Sequence, residues 1–404
     1  MRAGAHASDG CWHRGSHHLK KLWPTRLGAA GVAFWRCSAG HIPKKPALYT
    51  ASRALRAVTT LNFVLSFCKV GTLAGSFVNF LPDQGSVILM KRRTLFGSLA
   101  AFCMSVALLA GCATLDEKQR GWIFQPSDRT WGGGAAAAVG MSDVWIDFKP
   151  RNEGVVAQLT SLGTGDIPAP ARLHGLWLDA DSATAADQQP VLLYLHGARF
   201  NVSGSAPRMR RMQELGFSVL AVDYRGFGKS STALPSEASA YEDARAAWDW
   251  LALKYPNRPR YIFGHSLGGP IAIHLAHEVA DERGTIVEGT FTSIADVVGS
   301  TSWGWLPWSL LITQRLAAVD TVSTIGSPLL VVHGSEDQLI PTTLGKKLYD
   351  AAAEPKRFVL VEGGSHHNTN QVGQPQYREA LAQLMGIHQR PAATANATTN
   401  ATAP

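Results

Sequence analysis

The sequence predicts an α/β fold built on a mostly parallel, doubly wound sheet, and two observations carry this prediction. Short apolar runs alternate with amphipathic stretches from residue 185 to residue 390, which is the pattern of buried parallel strands joined by helices. In addition, Gly264-His265-Ser266-Leu267-Gly268 stands between an apolar run and a helix-like run. Gly-x-Ser-x-Gly in this context is typical of a sharp strand-to-helix turn that exposes a nucleophilic serine.

The segment from Met90 to Cys112 has the pattern of a secretory signal peptide. A basic head, Lys91-Arg92-Arg93, precedes a short apolar stretch that ends in Leu109-Ala110-Gly111-Cys112. These last four residues resemble the bacterial lipobox, which implies a signal peptide over residues 90–111 and lipidation of Cys112. A short transmembrane anchor is the alternative. Because alanine follows the cysteine, the resemblance implies a protein on the outer membrane of the cell envelope, facing the periplasm.

Residues 1–89 are therefore expected to be a spurious N-terminal extension, with a genuine cytoplasmic or membrane-associated leader as the alternative. Residues 1–111 hold 14 of the 38 Lys and Arg but only 2 of the 30 Asp and Glu, which leaves residues 112–404 at a net charge of −4. The basic character thus belongs to the N-terminal part, so charge does not argue for a nucleic-acid partner.

Cysteine usage narrows the chemistry of the remaining chain. All five cysteines lie at or before position 112. The expected catalytic domain therefore has no thiolate nucleophile and no zinc-thiolate site. We expect no metal and no cofactor.

The elements follow in order along the chain. Residues 112–140, which include Gly132-Gly133-Gly134, are expected to form a flexible tether, followed by a domain over residues 141–390. Eight apolar runs predict strands: 144–148, 173–178, 191–195, 218–222, 261–263, 285–287, 329–332 and 358–361. The first two are expected at an antiparallel edge. Five amphipathic stretches predict helices: 207–215, 240–254, 271–279, 342–353 and 376–386.

Three local patterns complete this organisation. Ser239 to Glu242 matches a capping box at the start of the second helix. The tryptophan-rich excursion over residues 294–327 is too long for an ordinary connection and predicts a helical lid above an apolar pocket, with plain core packing as the alternative. Residues 391–404 contain only Ala, Thr, Asn and Pro, which predicts a disordered tail.

A nucleophilic serine needs a base to take its proton and an acid to orient that base. The strand at 329–332 leads into a turn that contains Glu336 and Asp337. We expect Asp337 to be the acid, with Glu336 as the fallback. The strand at 358–361 leads into a loop that contains His366 and His367. Either histidine is a candidate base, and a metal-binding pair is the less favoured alternative.

The oxyanion formed during acyl transfer needs two backbone N–H donors. One is expected from Leu267, the residue after the serine. The other is expected from Ala198, in the loop after the strand at 191–195. Removal of one such donor typically lowers the rate about 10²- to 10³-fold.

Several segments together resemble the α/β-hydrolase superfamily, and within it the serine esterases that include protein depalmitoylases. They are His196-Gly197, Asp223 to Ser230, Gly264 to Gly269, Glu288 to Ser293, His333 to Asp337 and Glu362 to His366. The resemblance implies the α/β-hydrolase fold with a helical lid insertion and a triad of Ser266, Asp337 and His366. It favours His366 over His367, because the family's last loop usually reads Gly, a small residue, one more residue, then His.

The function expected from this resemblance is cleavage of carboxylic ester or thioester bonds through an acyl-serine intermediate. The expected partners are a small-molecule or lipid-like ester and a membrane reached through the lipid anchor. A peptidase or an acyltransferase is an alternative, because the same turn supports several reactions. A non-catalytic binding module is a further alternative.

Overall fold

The computed structural model describes residues 110–151, 170–180, 188–301, 304–305 and 308–388, together with residue 98 and residues 102–105. The predicted extension, most of the predicted signal peptide, the C-terminal tail and Trp303 lie outside the described residues.

Within the described residues, eight strands form one sheet in the order β1-β2-β4-β3-β5-β6-β7-β8. Strands β3 to β8 run parallel to one another, whereas β1 and β2 are antiparallel to their neighbours at one edge. The strands are β1 (Ser142–Phe148), β2 (Ala171–Leu178), β3 (Val191–Leu195), β4 (Ser218–Val222), β5 (Arg260–His265), β6 (Glu282–Glu288), β7 (Leu329–Gly334) and β8 (Lys356–Val361). The predicted sheet class and the antiparallel edge are confirmed.

Besides the helical segment over residues 110–124, the helices are α1 (Gly134–Ala137), α2 (Ala206–Glu214), α3 (Glu237–Lys254), α4 (Gly268–Glu278), α5 (Ile294–Gly299), α6 (Thr342–Ala351), α7 (Thr369–Val372) and α8 (Gln374–Met385). Helices cover both faces of the sheet. Helices α3, α4 and α6 pack on one face, and α2 and α8 pack on the other. Each face of the sheet packs against its own hydrophobic core. In β3, Leu193 and Leu195 contact the core beneath α3, α4 and α6, whereas Leu192 and Tyr194 contact the core beneath α2 and α8. Both faces of the strand are therefore buried, which is why its apolar run is continuous.

Helix α3 begins earlier than the capping pattern predicts. Its N-cap is Ser236, whose side chain accepts a hydrogen bond from the Ser239 backbone N–H, while the Ser239 hydroxyl accepts one from the Ser236 N–H. The predicted box at Ser239 to Glu242 is therefore wrong. Serine at the third helical position replaces the more usual Glu or Gln, so the true cap does not match the usual sequence pattern of a capping box.

The N-terminal segment differs from the flexible tether predicted for residues 112–140. Residues 110–124 are helical, and Phe124 is fully buried in the core. The Gln119 side-chain amide donates to the Leu311 carbonyl at 2.7 Å. Burial of an aromatic ring and pairing of buried amide groups hold this segment on the domain, and composition alone does not reveal either contact.

The excursion over residues 294–327 divides into two parts. Its second half belongs to the core, because Leu316 and Val322 are fully buried. Its first half exposes 76% of Trp305 and 82% of Leu310. Besides α5, the described residues of the excursion contain three single-turn 3₁₀ segments: Trp308–Leu310, Ala318–Asp320 and Val322–Thr324. Core packing therefore describes the second half, and the lid stays a prediction for the first half.

Candidate active site

Ser266 stands on the turn between β5 and α4, in the left-handed region of backbone conformation with φ of 54°. Its N–H donates to the Glu288 carbonyl at 2.9 Å, and its own carbonyl accepts from the Thr290 hydroxyl at 3.0 Å. A Cβ at Gly264 would overlap the Gly268 carbonyl oxygen, and a Cβ at Gly268 would overlap the Leu195 carbonyl oxygen, so each position of the motif requires glycine. The start of α4 also places a partial positive charge beside the serine.

His366 lies between Ser266 and Asp337. Its Nδ1 is 2.8 Å from Asp337 Oδ2, and its Nε2 is 3.0 Å from Ser266 Oγ. A carboxylate only accepts hydrogen bonds, so Nδ1 carries the proton and donates it. In the neutral ring Nε2 is then the acceptor, to which the Ser266 hydroxyl donates. The three side chains therefore form one hydrogen-bond chain that ends at the serine oxygen.

Asp337 is held as a carboxylate by its surroundings. Its Oδ1 accepts from the backbone N–H groups of Leu339 at 3.0 Å and Ile340 at 2.9 Å. Burial by itself would raise the pKa of Asp337, but hydrogen bonds from His333 and His366 outweigh burial and bring the pKa well below its ordinary value. The carboxylate can therefore orient His366 across the whole neutral range.

Glu336 and His367, the less favoured candidates for acid and base, take no part in the hydrogen bonds among Ser266, His366 and Asp337. Glu336 is exposed next to Asp337. The exposed His367 ring stacks on Trp131, with ring centroids 5.2 Å apart, and Trp131 also meets Phe200 edge-on at 4.8 Å. This aromatic contact brings the N-terminal segment to the rim of the site. Among the described residues, no group of three or more His, Cys, Asp or Glu side chains is arranged to hold a metal ion.

The two predicted oxyanion donors lie on either side of the serine turn. Leu267 follows Ser266 directly, and the loop that carries Ala198 approaches so closely that a Cβ on Gly197 would be 3.1 Å from Ser266 Cβ. Within the described part of the chain, the N–H groups of Ala198 and Leu267 have no protein acceptor. The next N–H along the loop, that of Arg199, donates instead to the Phe124 carbonyl at 3.0 Å.

Gly289 is a site residue that the analysis of motifs did not single out. Its φ is +55°, and a Cβ added to it would lie 3.3 Å from both Asp337 Oδ2 and His366 Nδ1. The signal in the sequence is weak, because a glycine after a strand usually marks only a turn. Here it lets the backbone pass beside the bond between acid and base.

We expect Gly289→Ala to lower kcat about 10- to 100-fold, because the added methyl group pushes Asp337 and His366 apart by several tenths of an ångström. Gly386→Ala is the matched control: φ there is +68°, so the backbone strain is similar, but nothing lies within 4 Å of the added atom. Steady-state kinetics of both variants separates the effect of backbone strain from the effect of displacing Asp337 and His366. Equal losses of kcat in the two would contradict the assignment.

Comparison with known proteins agrees with this fold. A family profile described as serine aminopeptidase, S33, matches residues 186–319. An uncharacterised protein of Mycobacterium tuberculosis is 35% identical over 187 residues, which are 46% of this chain and 66% of that protein. The lysophosphatidylserine lipase ABHD12 of Danio rerio is 34% identical over 208 residues, covering 45% of this chain and 54% of that protein.

The uncharacterised protein YfhR of Escherichia coli K12 is 30% identical over 201 residues, which are 48% of this chain and 69% of YfhR. Among solved structures, the esterase Pf2001 of Pyrococcus furiosus is 20% identical, with a TM-score of 0.48, over 65% of this chain and 99% of that one. The chain thus spans about half to two thirds of the length of these curated relatives. By its sheet and its similarity to these relatives, the chain belongs to the α/β-hydrolase superfamily.

Proposed function

We propose that the protein is a serine hydrolase that cleaves carboxylic ester or thioester bonds through an acyl-serine intermediate. The observation that carries the proposal is the continuous hydrogen-bond chain from Asp337 through His366 to Ser266. Asp337, His366 and Ser266 are its proposed catalytic residues, and Ala198 and Leu267 are its proposed oxyanion donors.

In the first step, Ser266 Oγ forms a bond to the substrate carbonyl carbon while its proton passes to His366 Nε2. The carbonyl oxygen becomes an oxyanion and accepts hydrogen bonds from the N–H groups of Ala198 and Leu267. The intermediate then collapses, the bond to the alcohol or thiol breaks, and His366 Nε2 donates its proton to the leaving group.

In the second step, water attacks the acyl-serine carbonyl and gives its proton to His366 Nε2. Collapse of the second intermediate releases the carboxylic acid, and the same proton returns to Ser266 Oγ. During both steps the carboxylate of Asp337 stabilises the imidazolium form of His366. All atoms and protons balance among these residues, the substrate and water.

A lipid-like or small-molecule ester is the proposed substrate class. The name of the zebrafish relative, a lysophosphatidylserine lipase, supports a lipid-like ester. The exposed apolar side chains of Trp305 and Leu310 also support a substrate or surface with apolar character. We predict a preference for short to medium acyl chains, because the predicted lid is too short to cover a long lipid groove. It is checked by comparing kcat/KM across p-nitrophenyl esters of graded length.

A peptidase is the second candidate, because the matching family profile is described as a serine aminopeptidase. Ester and amide cleavage use the same chain of Ser266, His366 and Asp337, so geometry at these residues does not distinguish them. Comparison of p-nitrophenyl esters with aminoacyl p-nitroanilides separates the two. Amide turnover equal to ester turnover would favour the peptidase.

We expect a fluorophosphonate probe to label the protein on the peptide that contains Ser266, since the probe reports a serine oxygen activated by a base. Ser266→Ala is expected to abolish both labelling and ester hydrolysis. Mass spectrometry of the labelled peptide identifies the site. A wild-type protein that folds but takes up no probe would favour the non-catalytic binding module instead.

We also propose that Cys112 is lipidated and attaches the protein to the outer membrane, facing the periplasm. Cys112 is exposed, at the start of the helical segment over residues 110–124. Within the described residues, no helix has the length and apolar character needed to cross a membrane. The proposal rests on the lipobox-like residues before Cys112 and on the basic and apolar stretches that precede them.

We expect Cys112→Ser to move the protein from the membrane fraction to the soluble fraction of fractionated cells, because the lipid acceptor is lost. Cys103→Ser is the matched control, since this cysteine lies inside the predicted signal peptide and takes no lipid. Retention of Cys112→Ser in membranes would contradict the lipid anchor and favour a transmembrane anchor.

A further inference from the structure

A buried ion pair lies beneath the proposed site and has no part in the mechanism above. Arg208, on α2, donates from Nε to Glu288 Oε1 at 2.8 Å. The Glu288 side chain is fully buried, and its second oxygen accepts a hydrogen bond from the Tyr377 hydroxyl. Burial would lower the pKa of Arg208, but the negative charge of Glu288 outweighs burial and raises it. The guanidinium is therefore permanently charged.

The same guanidinium reaches the loop that carries the proposed base. Arg208 Nη2 lies 3.2 Å from the carbonyl oxygens of both His366 and His367 and donates to them. The His366 carbonyl also accepts from Nε2 of His265 at 3.1 Å. Burial, with Arg208 and His366 nearby, lowers the pKa of His265 well below its ordinary value. His265 is therefore neutral and carries its proton on Nε2.

Glu288 joins this arrangement to the nucleophile. Its backbone carbonyl accepts the N–H of Ser266 at 2.9 Å, while its carboxylate binds the arginine that holds His366. One residue at the end of β6 therefore touches the serine turn through its backbone and the histidine loop through Arg208. A rigid bidentate donor suits this task, because a guanidinium offers several N–H groups in fixed directions.

We propose that Arg208, Glu288, Tyr377 and His265 form a clamp that sets the separation between Ser266 Oγ and His366 Nε2. This inference rests on the proposed function, and the four are positioning residues that act through the backbone of His366. The loop carbonyls of His366 and His367 lie outside any strand ladder, so donors from the clamp fix their positions. An ångström of misplacement between reacting groups costs about 10²-fold in rate.

The clamp is distinguishable from a merely structural ion pair. A structural role alters the fraction of molecules that fold, but each folded site keeps its rate constants. A positioning role lowers the rate constants of every folded site. Titration of active sites with the fluorophosphonate probe to its end point counts the folded sites, so kcat and the labelling rate constant are then expressed per site.

Arg208→Lys keeps a positive charge opposite Glu288 but removes the fork that reaches both carbonyls. We expect kcat per titrated site to fall about 10- to 100-fold, with KM changed less than about twofold and the labelling rate constant lowered in parallel. Tyr377→Phe removes a single hydroxyl from the clamp and is expected to lower kcat per site about three- to tenfold, even if Arg208→Lys does not fold. Tyr261→Phe, another largely buried tyrosine, is the control and keeps the wild-type rate.

Two results would overturn the inference, and they are distinguishable. If wild-type Ser266 is labelled but the per-site rate constants of Arg208→Lys and Tyr377→Phe equal those of the wild type, the clamp is wrong and the proposed function stands. If wild-type Ser266 takes up no probe, the proposed function fails and the clamp fails with it. Parallel losses of kcat and labelling rate at unchanged KM support the clamp.

Discussion

Replacement of His366 by alanine is expected to lower kcat by on the order of 10⁴- to 10⁶-fold, whereas His367→Ala keeps most of the activity. The reason is geometric. His366 Nε2 is 3.0 Å from Ser266 Oγ, and its Nδ1 is 2.8 Å from Asp337. His367 stacks on Trp131 at the rim. Without His366 no base takes the serine proton, and only the oxyanion donors and substrate binding remain.

The experiment compares turnover of a p-nitrophenyl ester with the rate of fluorophosphonate labelling. His366→Ala is expected to lose both, because each reaction needs an activated serine. His367→Ala is the internal control, since it removes a ring of the same size from the next position. The reverse pattern, with activity lost on His367→Ala and kept on His366→Ala, would show that the base is one residue further along the loop.

The positions of the strands along the chain could be predicted from the sequence, because most of them are parallel strands buried on both faces of the sheet. Such strands appear as uninterrupted apolar runs, and each of the eight predicted runs overlaps an observed strand. The same reasoning predicts which loops meet, since the carboxyl ends of parallel strands lie at one edge of the sheet. Ser266, Asp337 and His366 each follow such a strand, and the structure brings their side chains into one hydrogen-bond chain.

The contacts of the N-terminal segment could not be predicted from the sequence in this way. Gly132 to Gly134 and the alanines after them have the composition of a linker, yet a Cβ on Gly134 would overlap the backbone at Ser203. Glycine therefore permits close packing here instead of flexibility. Phe124 buries its ring against residues distant in sequence. Only the tertiary structure shows whether such small residues form a flexible linker or allow close packing of the backbone.

The residues of the clamp show a second limit of prediction from the sequence. Arg208 is one of three arginines on α2, and nothing in the spacing distinguishes it from Arg210 and Arg211. Arg208 differs from the other two in its partners, because Glu288 and two loop carbonyls face it, and those partners are 80 or more residues away along the chain. Glu288 does leave a signal, since a carboxylate in a buried strand needs a partner. The identity of that partner is a property of the fold.

Asp337→Asn is expected to lower kcat about 10⁴-fold while the protein still folds. Asparagine has nearly the shape of aspartate, but its amide carries no charge to stabilise the imidazolium form of His366. Its N–H₂ group also allows the histidine to take the wrong tautomer, with the proton on Nε2 facing Ser266. Glu336→Gln, at the exposed neighbouring position, is the matched control and keeps the wild-type rate. Loss of activity on Glu336→Gln alone would transfer the role of the acid to that residue.

Asp337→Asn is also expected to change how the free energy of unfolding depends on pH. The pKa of Asp337 is lowered from the ordinary 3.8, since the hydrogen bonds to its carboxylate outweigh burial. A lowered pKa means that the folded state favours the ionised form, so Asp337 stabilises the fold above its unfolded pKa, and this contribution is lost as the pH falls towards the folded pKa. The difference in free energy of unfolding between wild type and Asp337→Asn is therefore expected to narrow as the pH falls below about 4. Urea unfolding at a series of pH values measures this difference, and a gap that widens as the pH falls below about 4 would contradict an ionised Asp337 held by His333 and His366.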